Sequence, residues 1–168
     1  MASDRELIAE VAGGSEEAFR QLYDRFADRV YRYAFTILRA RHLAEEAAQE
    51  TMIAMWKSAA RFAGRSKVST WIFGIARNQA YTLARKEIRR ERVPEIPLVV
   101  DDPATGIHRQ EKVARAMETL SDDHREVVFL TFYEGLSYGE ISSILKIPTG
   151  TVKSRMFHAK KQLGEALA

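Results

Sequence analysis

Apolar residues recur at three- and four-residue steps along most of this chain, and that helical period is the strongest constraint on its fold. The period is interrupted by "RVPEIPLVVDDPATG", residues 92–106, which holds three of the four prolines. Because proline removes a backbone donor and biases its predecessor toward extended conformations, this segment predicts a linker. We therefore expect an all-α fold with two small helical domains, residues 1–92 and 109–168, joined by a flexible linker, residues 93–108.

Three helices are predicted in the first domain. The first begins after Ser15, a residue type favoured as an N-cap, and has Glu16 and Glu17 in its first turn, where negative charge suits the helix dipole. Two more are predicted over residues 43–60 and 69–90. The first helix is expected to bury one continuous apolar stripe, formed by Phe19, Leu22, Tyr23, Phe26, Val30, Tyr33, Ala34, Ile37 and Leu38.

The second domain ends in a pattern typical of a helix-turn-helix. Ser121 is an expected N-cap, and Ser137 with Glu140 has the spacing of a capping box that opens a short helix. A turn at "KIPTG", residues 146–150, separates it from a second helix. Lys146 stands where such turns often use glycine for a left-handed backbone, which leaves the turn geometry open. The two apolar stripes are Ile141, Ile144, Leu145 and Ile147, and then Val152, Met156, Ala159 and Leu163.

The face opposite the last stripe is polar and basic. Short hydroxyl side chains near a helix start reach base edges or phosphates, and flanking cations neutralise phosphates. The pattern therefore favours DNA binding, with an ordinary solvated basic face as the alternative. The opposite face carries Thr151, Ser154, Phe157, His158 and Lys161, and Lys153, Arg155, Lys160 and Gln162 flank it.

The composition argues against several other classes. The chain has no cysteine, and its four histidines lack metal-ligand spacing, so we expect no disulfide, metal or cofactor. It lacks a Gly-rich phosphate loop, a G-x-S-x-G motif and an H-E-x-x-H motif, which argues against an enzyme. Since its start is polar and no apolar run approaches the ~20 residues of a membrane span, a cytoplasmic protein without membrane insertion is expected.

The net charge of +3 is modest but unevenly distributed. Residues 1–92 hold 17 Lys+Arg against 12 Asp+Glu, residues 93–108 hold 0 against 3, and residues 109–168 hold 9 against 8. This distribution indicates two units joined by an acidic segment.

Three separated motifs occur in a fixed order: "EEAAQETMIAMWK", "STWIFGIARNQAY" and "LSYGEISSILKIPTGTVKSRMFHAKKQL". With them, residues 16–167 resemble an extracytoplasmic-function (ECF, group IV) sigma factor of bacterial RNA polymerase. The resemblance implies an alternative sigma factor that binds core polymerase and directs transcription initiation from −10 and −35 promoter elements. It also implies a stress or envelope-response regulon and control by an anti-sigma factor. The two domains would be sigma domain 2 and sigma domain 4.

The first motif would dock on the clamp coiled coil of the largest polymerase subunit, and the flap region of polymerase is a further implied contact. From the residues alone, the polar positions of this motif would be solvated, while Met52 and Trp56 would be core residues. The positions that the resemblance assigns to polymerase binding are Glu46, Gln49, Glu50, Met52 and Trp56.

The second motif and the loop before it would melt the −10 element and hold a flipped-out base. Single-stranded DNA needs an aromatic or apolar surface for base stacking and cations along its backbone path. Trp71 cannot share one helix face with Phe73 and Ile75, so a packing role for Trp71 stays open. The positions that the resemblance assigns to the −10 element are Arg65, Ser66, Lys67, Trp71, Arg77, Asn78, Gln79, Arg85 and Arg89.

The helix-turn-helix would read the duplex of the −35 element. The linker would thread the polymerase near its active-site and RNA-exit channels, or act as a passive tether. Two other functions stay open: a sigma-like protein that titrates an anti-sigma factor, and a stand-alone helix-turn-helix regulator. The positions assigned to the −35 element are Thr149, Thr151, Lys153, Ser154, Arg155, His158 and Lys161.

Overall fold

The computed structural model describes residues 1–89 and 107–168, and within those ranges it contains eight α-helices and no strand, which confirms the all-α prediction. A 3-10 turn, Ala59–Arg61, follows α3, and a π-helical segment, Phe129–Tyr133, follows α6. The helices are α1 Asp4–Ala12, α2 Glu16–Leu38, α3 Arg41–Ser58, α4 Val68–Arg89, α5 Ile107–Glu118, α6 Asp122–Val128, α7 Tyr138–Leu145 and α8 Thr149–Leu167.

The chain divides into two compact units, with α1–α4 in the first and most of α5–α8 in the second. Most of the predicted linker, residues 93–108, lies outside the described residues. Its last two positions belong to a helix, because α5 begins at Ile107. Residue 90, the expected end of the third predicted helix, also lies outside the description, and α4 is described as far as Arg89.

The first unit buries a core where α2, α3 and α4 meet. Phe26, Tyr33 and Phe73 are among its largest fully buried side chains, and the Tyr33 and Phe73 rings meet edge to face with centroids 5.6 Å apart. The Arg29 guanidinium lies over the Phe26 ring, 4.8 Å from its centroid, so a cation closes one edge of this aromatic cluster. Buried alanines on α3 and α4 complete the core: Ala44, Ala47, Ala48, Ala76 and Ala80.

Ser15 is the N-cap of α2, as predicted, and its hydroxyl accepts from the Ala18 amide. The predicted core stripe of this helix is too wide, because Tyr23 is 44% exposed and Phe19 and Ile37 are only half-buried. Tyr23 lines two shallow surface cavities, one of them between α2 and α3, instead of packing in the core.

Helix α1 was not expected from the sequence. Ser3 and Glu6 form a complete capping box at its start, and three apolar residues of the helix are buried: Leu7, Ile8 and Val11. The Arg25 guanidinium on α2 donates to the Asp4 carboxylate at 2.8 Å and to the Ala2 carbonyl at 2.7 Å. A nine-residue helix with so many charges is only marginally stable alone, so tertiary packing and capping hold it.

The second unit is stabilised by a buried cation. Ser121 is the N-cap of α6, as predicted, and Arg125 one turn later is 7% exposed. The Arg125 guanidinium donates to the carbonyls of Met117 and Leu120 at 3.1 and 2.8 Å, and to the Asp122 carboxylate at 3.0 Å. It thereby satisfies carbonyls at the end of α5 and joins α5 to α6.

The turn between α7 and α8 keeps a left-handed backbone although it lacks glycine. Ser137 is the N-cap of α7, and Lys146 at the other end adopts φ 56° and ψ 46°. The Lys146 amide donates to the Ser142 carbonyl, and the Ser142 hydroxyl donates to the Ile147 carbonyl. The turn geometry that Lys146 left open is therefore the expected one, and α8 begins at Thr149.

Candidate polymerase and nucleic-acid interfaces

One face of α3 is exposed along its whole length. It presents two carboxylates and an amide, and Ile53 lies at its centre with 45% of its surface exposed. Met52 is 3% exposed and packs in the core, as the residues alone predicted, so in this structure it is not on the exposed face and its assignment to polymerase binding stays a prediction. The exposed face consists of Glu46, Gln49, Glu50, Ile53 and Trp56.

Sequence reasoning missed Ile53. In a helix, one residue step is a rotation of about 100°, and the choice between Met52 and Ile53 depends on which side faces α2 and α4. The spacing of the apolar residues of α3 could have indicated that choice. Ala48, Met52 and Met55 follow one another at steps of four and three residues and share one buried side, whereas Ile53 is not three or four residues from any of them.

Trp56 forms the end of a shallow aromatic surface shared by α2 and α3. It is 38% exposed, and its ring meets Phe19 edge to face with centroids 5.3 Å apart. A cavity of about 400 Å³ lies beside Trp56, Phe19 and Tyr23, and a second of about 440 Å³ continues from Tyr23 toward Gln49. An apolar floor with exposed polar edges is the usual composition of a protein-binding groove.

The loop between α3 and α4 carries exposed cations. Arg65 and Lys67 are exposed, while Ser66 is half-buried and its hydroxyl donates to the Lys67 carbonyl at 3.1 Å. Trp71, at the start of α4, is half-buried and its ring lies 5.2 Å from the Phe62 ring. Trp71 therefore packs against the loop and still presents part of its ring to solvent.

Three of the predicted −10 residues of α4 lie on one side of the helix. Trp71, Asn78 and Arg85 are spaced i, i+7 and i+14, so they form a line along the surface. Arg77 borders this line, and its guanidinium lies over the Tyr81 ring, 4.4 Å from the centroid.

Three predicted −10 residues of α4 do not join that line. Arg77 and Gln79 are both half-buried and each lies about 100° from Asn78, on opposite flanks of the helix. Arg89 is the last described residue of α4, and its side chain lies outside the description. The candidate −10 surface therefore consists of Trp71, Asn78 and Arg85 on α4, together with the exposed loop cations Arg65 and Lys67 that precede this helix.

Helix α8 turns its predicted apolar stripe inward. Val152, Met156 and Ala159 are fully buried, and Leu163 is half-buried. The opposite side is open, with a Phe157 ring that is 66% exposed between polar neighbours. The exposed predicted positions are Thr149, Lys153, Ser154, His158 and Lys161, while Thr151 is half-buried.

One flank of this surface is held by the first turn of α6. The Arg155 guanidinium lies 3.7 Å from the Asp123 carboxylate, and His158 stacks on His124 with ring centroids 6.3 Å apart. His124 Nδ1 also lies 2.9 Å from Gln162 Oε1. Three α8 residues spaced i, i+3 and i+7 thus contact two consecutive α6 residues, a tertiary contact that no local pattern in the sequence indicated.

Within residues 1–89 and 107–168, no group of His, Asp or Glu side chains could hold a metal ion. No helix in the same ranges is long and apolar enough to cross a membrane.

The chain matches two family models, one for each unit. Residues 22–90 match Sigma-70 region 2, and residues 110–163 match Sigma-70, region 4. The region 2 match contains the α3 face and the −10 surface, and the region 4 match contains the α7–α8 helix-turn-helix.

Curated relatives match nearly the whole chain. The ECF RNA polymerase sigma factor SigK of Mycobacterium bovis is 30% identical over 171 residues, which cover 96% of this chain and 91% of the relative. The ECF RNA polymerase sigma factor SigW of Bacillus subtilis is 27% identical over 176 residues, which cover 95% and 94%.

Solved structures share the fold. The sigma factor RpoE from Bartonella quintana, in complex with the anti-sigma factor NepR, matches with a TM-score of 0.74 and 28% identity over 89% of this chain and 96% of that one. CnrH, in complex with the cytosolic domain of CnrY, matches with a TM-score of 0.75 and 24% identity over 99% and 97%. The chain belongs to the ECF family of RNA polymerase sigma factors.

Proposed function

We propose that this chain binds core RNA polymerase through its first unit, opens the −10 element with that same unit, and reads the −35 duplex with its second. The observation that carries the proposal is that both matched regions present an exposed, cation-bearing surface on a fixed helical frame. The chain recognises the promoter, and the polymerase catalyses RNA synthesis. This function places the chain in the cytoplasm.

The α3 face supplies the polymerase contact in this proposal. Ile53 and Trp56 provide exposed apolar area, and Glu46, Gln49 and Glu50 surround it with polar groups. A polar rim around a small apolar centre provides both affinity and register in protein interfaces. Met52 is buried in the core and helps to fix the rotation of α3, and thereby the orientation of the exposed α3 face.

The −10 surface supplies the single-strand contact. Trp71 offers an aromatic edge for base stacking, and Asn78 can hydrogen-bond to a base. Arg65, Lys67 and Arg85 are exposed, and their positive charges can contact phosphates of the strand.

The second unit supplies the duplex contact. Helix α8 is the recognition helix of a helix-turn-helix, whose N-terminal residues contact base edges in the major groove. Ser154 can hydrogen-bond to a base, and Lys153 and Lys161 can contact phosphates. The exposed Phe157 ring suits an apolar contact with a thymine methyl group.

An anti-sigma factor is the regulatory partner in this proposal, because it would silence the chain by covering surfaces that polymerase needs. RpoE of Bartonella quintana was solved in complex with an anti-sigma factor, which supports a regulator of this kind. The shared α2–α3 groove, with Phe19, Tyr23 and Trp56, is the surface that such a partner would compete for.

The test is DNA binding with and without polymerase. A fluorescently labelled promoter duplex, chosen from fragments retained by the reconstituted holoenzyme, is titrated with the free chain, with core polymerase and with both. We expect sequence-specific binding only with both. Tight, sequence-specific binding by the free chain, with a footprint symmetric for a dimer, would identify a stand-alone regulator instead.

A further inference from the structure

The loop that carries Arg65 and Lys67 is contacted by a residue from the start of the chain. Arg5, on α1, donates from Nη2 to the carbonyl oxygen of Gly64 at 2.9 Å, across 59 residues of sequence. Arg5 belongs to neither the polymerase surface nor the −10 surface described above.

The backbone at Gly64 has a special conformation. Its φ is +72°, a left-handed value that residues with a β-carbon rarely adopt, so glycine suits this position of the loop. The guanidinium lies close to this residue: a β-carbon built there would be 3.5 Å from Arg5 Nη1 and 4.0 Å from Nη2, which is ordinary van der Waals contact. The contact therefore rests on a charge-assisted hydrogen bond to a carbonyl whose position the left-handed residue sets.

Helix α1 provides a fixed base for Arg5. Its buried Leu7, Ile8 and Val11 pack in the first unit, and its N-terminus is tied to α2 by the Asp4–Arg25 ion pair at 2.8 Å. The side chain that reaches the loop thus starts from a helix that is anchored independently of the loop.

We propose that Arg5 is a positioning residue for the −10 strand-binding loop, residues 62–67. This inference rests on the proposed function of that loop. By fixing the Gly64 carbonyl, Arg5 holds the flanking cations in place before DNA arrives, so less conformational entropy is lost when the strand is captured. Its effect therefore falls on promoter opening rather than on assembly with polymerase.

The experiment measures opening directly. Holoenzyme is reconstituted with wild-type chain, Arg5→Ala, Arg5→Lys or Arg25→Ala, and mixed with a promoter whose start the wild-type holoenzyme has defined. A 2-aminopurine in the −10 non-template strand reports opening by its fluorescence. Affinity for core polymerase and the melting temperature of each free chain are measured in parallel.

Arg25→Ala is the matched control, because it breaks a contact of α1 without touching the loop. We expect Arg5→Ala to slow opening about fivefold to tenfold, the effect of one solvent-exposed hydrogen bond. Arg25→Ala should lower the melting temperature at least as much and slow opening less than twofold. Arg5→Lys, which keeps a charged donor, should restore most of the opening rate.

Three outcomes would overturn the inference. Equal slowing by Arg5→Ala and Arg25→Ala would show a general structural role of α1. If Arg5→Ala reduces the slope of log binding constant against log salt concentration by about one, as the loss of one phosphate contact does, Arg5 contacts DNA directly. An unchanged rate of promoter opening in Arg5→Ala would show that the Arg5–Gly64 contact does not contribute to opening. A wild-type holoenzyme that opens no promoter would instead refute the proposed function, and the inference with it.

Discussion

Lys146 adopts a left-handed backbone conformation that disfavours any side chain with a β-carbon. The turn nevertheless forms, because the Lys146 amide caps the Ser142 carbonyl and the buried Ile144 and Leu145 fix the end of α7. Local strain is thus held by the packing around it. Sequence alone identified the turn, but the conformation at Lys146 depends on those contacts.

Replacing Lys146 with glycine should therefore stabilise the second unit by about 0.5–1 kcal/mol, since the relief of strain exceeds the added freedom of the unfolded chain. Hydrogen exchange of α8 amides, read by mass spectrometry on the full chain, would show slower exchange. The control is Lys146→Ala, which removes the charge and keeps the β-carbon. Equal stabilisation by both variants would assign the effect to charge rather than to backbone conformation.

Helices α3 and α8 show how much of the site depends on helix rotation. The acidic positions of α3 and the apolar stripe of α8 followed from spacing alone, because charged side chains at helical period lie outside and apolar ones inside. Met52 was assigned to the polymerase-binding positions and Ile53 was not considered, although Ile53 is the exposed residue of the two, since the packing of neighbouring helices decides which apolar residue faces solvent. The Arg155–Asp123 contact joins residues 32 apart and was equally invisible.

Ile53→Glu should weaken binding to core polymerase by at least tenfold, because it places a charge at the apolar centre of the α3 face. The matched control is Ile88→Glu, which makes the same change at a position that is 76% exposed on α4. Affinity for core polymerase without DNA is the measurement. An equal loss in both variants, or no loss in Ile53→Glu, would contradict the assignment of the α3 face.

Met52→Ala should act through stability instead. A buried methionine truncated to alanine leaves a cavity, and the expected loss is about 2–4 kcal/mol of unfolding free energy. Urea unfolding followed by the fluorescence of the two tryptophans, both in the first unit, measures it. If the folded variant loses polymerase affinity with unchanged stability, Met52 belongs to the interface after all.

Arg155→Ala should lower initiation from a promoter with an intact −35 element by about tenfold and leave core binding unchanged. Lys153→Ala, at an exposed position of α8, should weaken holoenzyme binding to matched and mutated −35 sequences equally and reduce the salt dependence of the binding constant by about one phosphate contact. Measuring holoenzyme binding to both sequences over a series of salt concentrations distinguishes this uniform loss from a loss confined to the matched sequence. Loss of core binding in Arg155→Ala would show that its role is misassigned.

At the scale of the whole molecule, the two units combine three surfaces on one short chain. The resemblance carried by the three motifs assigned their roles, which stay predictions, and the sequence could indicate their location because each motif lies on one helix or loop. The contacts that support these surfaces were less predictable, because they join residues far apart in sequence. Arg5 on α1 contacts Gly64 in the loop, and Asp123 in the first turn of α6 contacts Arg155 on α8.

The central claim is that this chain directs polymerase to specific start sites. The most direct measurement is transcription in vitro on genomic DNA of the source bacterium, with core polymerase alone or with the chain added, followed by sequencing of the 5′ ends of the RNA. We expect new start sites that share one pair of upstream elements and appear only when the chain is present. Retained binding to an anti-sigma factor without any such transcript would contradict the claim and identify a sigma-like titrating protein.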